Sequence, residues 1–93
     1  MKNHRVKNGF GMVSNTVIRD PDLSLQEKAI YAYLSTYANN ETNECTVGID
    51  KIASECGIDQ STVKRSLKKL KDKQIITRIL RGVNTTAITI LLK

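Results

Sequence analysis

Gly57-Ile58-Asp59-Gln60-Ser61-Thr62-Val63-Lys64-Arg65-Ser66-Leu67-Lys68-Lys69-Leu70 is the stretch that decides the fold. A glycine followed by an apolar residue and an aspartate reads as the end of one helix and the start of the next. Gly57 suits the left-handed backbone at which helices stop. Ile58 plugs the turn, and Asp59 stands at the N-cap of a helix running from about Gln60 to Lys73. On the helical period of about 3.6 residues, Val63, Leu67 and Leu70 form one buried stripe. Ser61, Arg65 and Lys68 point the opposite way, with Lys64 and Lys69 on the shoulders.

Working upstream, Ile49, Ile52, Ala53 and Cys56 share one face of a helix from about Ile49 to Cys56, with Gly48 at its N-cap. Ala53, Gly57 and Val63 are spaced by four and then six. The small Ala53 lets the following helix cross closely, Gly57 supplies the sharp turn, and Val63 anchors the second helix on the core. This register resembles the helix-turn-helix family, whose second helix is placed in the DNA major groove. Ile52, Cys56, Ile58 and Leu67 fit its apolar positions, and Ser66 departs from them.

An earlier helix is expected from about Leu25 to Ala38. Ser24 with Glu27 three residues later makes a capping box, and Ile30, Leu34 and Tyr37 recur at helical spacing, flanked by Ala29 and Tyr33. Three tyrosines (31, 33 and 37) invite a base-stacking reading, but their place on an amphipathic helix favours packing in or beside the core. Asp20-Pro21-Asp22 is a turn, Asn39 to Glu44 a polar loop, and Cys45-Thr46-Val47 a candidate short strand. Residues 10–19 are β-compatible and read as a short strand or extended arm, able to close a small sheet or to pair with a second chain. Residues 1–9 read as a polar tail.

Downstream, Gln74 to Leu80 and Thr86 to Leu92 are strands joined by the turn Arg81-Gly82-Val83-Asn84-Thr85. In the second strand Ile88, Ile90 and Leu92 face one way, and Ala87, Thr89 and Leu91 the other. The expected fold is therefore α+β, mainly α: a winged helix-turn-helix of three helices and a C-terminal β-hairpin wing over residues 10–93, with a short N-terminal strand as a further element. Val17-Ile18-Arg19-Asp20-Pro21-Asp22-Leu23-Ser24, with Glu27-Lys28-Ala29-Ile30-Tyr31-Ala32-Tyr33-Leu34, resembles the N-terminal DNA-binding domain of Gram-positive plasmid replication initiators and phage replisome organisers. That resemblance implies recognition of repeated origin sites, with replication proteins as partners.

Composition agrees with a nucleic-acid partner. The 93 residues carry a net charge of +6, and its distribution is uneven. Residues 1–58 hold six Lys/Arg against seven Asp/Glu, whereas residues 59–93 hold nine against two, a net of +7. Charge gathered this way is the footprint of a polyanion-binding face. Two cysteines eleven residues apart and one histidine, His4, supply no zinc spacing, so two reduced thiols and no metal or cofactor are expected. Neither a phosphate-binding glycine loop nor a nucleophile with a histidine partner occurs, which argues against an enzyme. No apolar run is long enough to span a bilayer, and the N-terminus leads into no signal-type segment, so no membrane partner and a cytoplasmic location are expected.

Roles follow from where the motif docks. Gln60, Ser61 and Thr62 open the third helix and suit base-edge or phosphate contacts. Arg65 is the candidate for bidentate recognition of guanine. Lys64, Lys68 and Lys69 suit phosphates, which position the helix without reading sequence. Arg78 and Arg81 on the hairpin suit phosphate or the minor groove, with Asn84 and Thr85 at the wing tip. Three settings compete: an origin binder, a small stand-alone transcriptional regulator, and a winged helix that binds protein. A natural end at Lys93 would favour the regulator and a longer chain the initiator; the +7 segment argues against the third. A homodimer on two half-sites is an alternative to a monomer.

Overall fold

Ser24 and Glu27 form the expected capping box: the Ser24 hydroxyl accepts from the Glu27 amide at 3.2 Å, and the Glu27 carboxylate accepts from the Ser24 amide at 2.8 Å. In the computed structural model, which describes residues 13–39, 41–79 and 87–93, this box starts α2 (Leu25–Tyr37). Before it lies a single turn, α1 (Asn15–Ile18). After it come β1 (Glu44–Cys45), α3 (Ile49–Cys56), α4 (Gln60–Asp72), β2 (Ile76–Ile79) and β3 (Ile88–Leu91). These four helices and a three-stranded antiparallel sheet, mainly helical, form a winged helix-turn-helix, with α2, α3 and α4 as the three expected helices.

The expected N-terminal strand is corrected. Among the described residues of that segment Asn15–Ile18 form a helical turn, in which Val17 turns inward to full burial while Ile18 and Arg19 close on Ser14 and Asn15. Residues 10–12 lie outside the described part. The strand that completes the sheet is β1 instead. The order is β1-β3-β2, with Glu44 opposite Ile90 and Cys45 opposite Thr89. On the other side Ile76 pairs with Leu91 and Arg78 with Thr89. The inward face of β3 is the one carrying Ala87, Thr89 and Leu91; Ile88 and Ile90 lie on the outer face.

The core gathers Val17, Ile30, Tyr31, Leu34, Ile52, Val63, Leu67, Leu70, Ile75 and Ile76. Tyr37, expected on the buried stripe of α2, is 42% exposed, and Tyr31 takes the inner place at 1%. The stripe rotates because α3 and α4 both pack on α2, so its apolar face is centred on Ile30, Tyr31 and Leu34. The Tyr31 hydroxyl donates to the Lys93 carbonyl at 2.6 Å, which satisfies the one polar atom of an otherwise apolar burial. Gly57 has φ +72°, and the Gly57 and Ile58 amides both reach the Ala53 carbonyl. That geometry sets the angle at which α4 leaves α3.

Candidate nucleic-acid interface

One helix positions most of the candidate side chains. Val63, Leu67 and Leu70 hold α4 against the core, and Ser66 is buried beside them at 4% exposure. Serine fits there because it lies on the flank of the stripe, where a small side chain lets the helices approach. With that face fixed, Gln60, Ser61, Lys64, Arg65, Lys68 and Lys69 are all exposed. They form a continuous outward surface that no other described element covers.

Thr62 is placed differently. It is only 8% exposed, so its hydroxyl belongs to the protein's own network rather than to the open surface. The hydroxyl donates to the Asp59 carboxylate and accepts from Arg65 Nη2 at 3.1 Å. Asp59 occupies the N-cap position but makes no side-chain bond to the free helix amides. The Thr62 hydrogen bond, with the nearby Arg65 charge, keeps the Asp59 carboxyl below the ordinary aspartate range. A short chain Asp59–Thr62–Arg65 thus runs up the first turn of α4.

The remaining cations divide by partner. Lys68 pairs with Asp72 at 3.1 Å on the open surface of α4, an arrangement worth little in water. Lys73 reaches inward to Asp20 at 3.0 Å and Asp22 at 3.3 Å, tying the α1–α2 loop to the end of α4. Arg78 is half-buried on the inner side of β2, where its Nε donates to Thr89 Oγ1 at 3.2 Å. Arg81, Asn84 and Thr85 lie outside the described residues. Sequence reasoning passed over Lys71, which stands seven residues after Lys64 and so one face along the same side of α4; helical spacing was the signal for it.

Between α2 and α3, the Tyr33 and Tyr37 hydroxyls both donate to Glu55 of α3, the second at 2.8 Å. Lys51 sits over the Tyr37 ring, 5.0 Å from its centre. Burial and the hydrogen bond to Glu55 push the Tyr33 hydroxyl far above its ordinary range, and the two hydroxyls hold the Glu55 carboxyl low. These rings lock α2 to α3. Cys45 and Cys56 are free thiols, both raised by burial, and the described residues contain no group of side chains arranged to hold a metal ion. None of the described helices is long and apolar enough to cross a membrane.

Comparison with known proteins accords with this geometry. No curated protein matches the chain. Residues 22–76, from the turn before α2 to the first residue of β2, match the family described as "Helix-turn-helix domain". The match takes in the capping box, the Gly57 turn and the whole of α4, and it points to DNA as the partner. Covering more than half of the sequence, it places the chain in that helix-turn-helix domain family.

Proposed function

We propose that this chain is a sequence-specific binding module for double-stranded DNA, without a chemical step of its own. The observation that carries the reading is the outward face of α4. A helix whose inner stripe is fully committed to the core presents Ser61, Arg65, Lys68 and Lys69 together, in a segment with a net charge of +7. Such a helix fits the major groove, where Arg65 is the candidate reader of guanine through its planar fork of donors. Gln60 and Ser61 at the N-terminal turn accompany it. Lys64, Lys68 and Lys69 hold phosphates. Thr62 serves from inside, by holding Arg65.

Replication initiation for a plasmid or phage is the setting we infer, on the resemblance to initiator and replisome-organiser domains that residues 17–24 and 27–34 carry and that spans roughly residues 10–80. The same face would serve a transcriptional regulator, and the DNA site separates the two. Selection of bound sequences from a random duplex pool should return a guanine-containing motif. Repeated copies in an origin support initiation, and a single two-fold site beside a promoter supports regulation by a homodimer. Titrating Arg65→Ala against the selected site and a scrambled duplex tests the reader: discrimination should fall by about 1–3 kcal/mol. Unchanged affinity and selectivity would overturn the assignment.

A further inference from the structure

Beside the outward face of α4 runs a cleft of about 400 Å³ between that helix and β2. Its charged lining is Lys64, Lys68 and Lys71 from α4 with Arg78 from β2, and its apolar lining is Ile49 and Leu67. The one carboxylate on the lining, Asp72, is already paired with Lys68. Among the described residues, Lys64, Lys71 and Arg78 have no carboxylate within ion-pair distance, and the residues outside that set include no acidic side chain.

Arg78 makes this more than a basic surface. Its register opposite Thr89 puts it on the inner face of the sheet, and it is half-buried there. A guanidinium carries five N–H donors; only Nε finds a partner among the described residues, the neutral Thr89 hydroxyl. Lost hydration pulls the arginine's proton affinity down, so the fold holds a partly desolvated cation beside three lysines, of which only Lys68 has a carboxylate partner among the described residues. Such a cluster is at its lowest energy when an anion with several acceptor oxygens enters, because charge-assisted bonds to phosphate satisfy planar donors and ammonium groups together.

We propose that this cleft is a phosphate clamp that seats a backbone phosphate of duplex DNA, with Arg78 as the inner donor and Lys64 and Lys71 closing over the anion. The inference rests on the reading of α4 as the helix in the major groove. A helix in that groove is flanked by phosphates on both sides. Lys69 serves the far shoulder, and the cleft serves the side toward the sheet. The clamp therefore sets how deeply and at what tilt α4 enters, while carrying no sequence information itself.

The test measures affinity of the whole chain for a random-sequence duplex of about 20 base pairs over a range of salt, since each lost phosphate contact lowers the slope of log K against log salt by about 0.9. Lys71→Gln and Arg78→Gln should each lower that slope by about one and weaken selected and scrambled duplexes alike, by about tenfold for the arginine. Arg78→Lys, which keeps the charge but not the fork, should recover part of the loss. Lys28→Gln, on α2 outside the cleft, should change neither quantity. Lys71 is exposed, so its variant decides the matter even where Arg78→Gln loosens the sheet. A parallel titration with inorganic phosphate, followed on the Arg78 Nε–H resonance, should show a saturable shift. Wild-type slope and affinity in Lys71→Gln and Arg78→Lys, with duplex binding intact, would overturn the clamp and leave the α4 reading standing. A wild-type chain with no salt-dependent duplex binding would overturn the α4 reading and the duplex clamp with it, even if free phosphate still shifted Arg78.

Discussion

Arg65 donates to the Thr62 hydroxyl across one turn of α4, at 3.1 Å, and the same hydroxyl donates onward to Asp59. A long flexible side chain on an open helix face would otherwise sample many rotamers, and ordering it on binding costs about 1–2 kcal/mol. The bond to a buried, fixed oxygen narrows that ensemble before DNA arrives. Thr62→Val removes both hydrogen bonds at nearly constant volume and leaves every exposed cation in place. Discrimination between selected and scrambled duplex should fall by about 1 kcal/mol, while the salt slope stays as in the wild type. Thr62→Ser, which keeps the hydroxyl, should restore most of the discrimination. A salt slope that falls with Thr62→Val would instead make threonine a phosphate contact.

That relationship also marks where sequence reading runs out. The helix-turn-helix was legible because Ala53, Gly57 and Val63 impose a spacing that few other structures need, and because the Ser24–Glu27 box is a local chemical signature. The outward set on α4 was legible from period alone, since Val63, Leu67 and Leu70 leave only one face for Arg65 and Lys68. Thr62 was not, because it lies at the boundary of the stripe, where period does not say which side of the surface a short side chain falls on. Tyr31 and Tyr37 exchanged places for a similar reason: which tyrosine is inside depends on where α3 and α4 lean on α2. The N-terminal turn around Val17 and the pairing of β1 with β3 are long-range choices that residues 10–19 and 44–45 do not announce locally.

Gly57 should tolerate substitution poorly, although nothing crowds it. No heavy atom lies within 4 Å of the place a β-carbon would take, so the cost is purely conformational. At φ +72° an L side chain meets its own backbone, a penalty of about 1–2 kcal/mol. Gly57→Ala should lower the unfolding free energy by roughly that amount in urea titrations. Gly57→Asn should cost less, because asparagine visits this region more readily. Equal losses for the two would point to a packing defect instead.

Leu70 has no accessible surface and lies where α4 meets the rest of the core. Leu70→Ala should therefore destabilise the fold by about 2–5 kcal/mol, a large share of what a domain of this size possesses. The check is chemical denaturation with ligand-free protein. DNA binding by the fraction that stays folded should keep wild-type selectivity, because the outward face is untouched.

Acid should weaken the fold through the loop that Lys73 anchors. The Asp22 amide donates to Asp20 at 2.9 Å and Lys73 approaches the same carboxyl at 3.0 Å; together these hold the Asp20 carboxyl below the ordinary aspartate range. A carboxylate with a depressed folded-state pKa binds protons less readily than its unfolded counterpart. Its stabilisation is complete above the unfolded value of about 3.9 and is lost as pH falls through the folded value. Lys73 is shifted upward by the Asp20 and Asp22 carboxylates, so its contribution is full below the ordinary lysine range and is lost as pH rises through its own folded value. Between those limits the clamp is insensitive to pH. Unfolding free energy should fall on acidification below about pH 4, and Asp20→Asn, which keeps an acceptor for the Asp22 amide, should show a shallower fall. Part of the acid dependence should remain in that variant, because Glu55 and Asp59 are also held low by their hydroxyl partners. An acid limb as steep as the wild type's in Asp20→Asn would show that the Lys73 contact does not stabilise the folded chain.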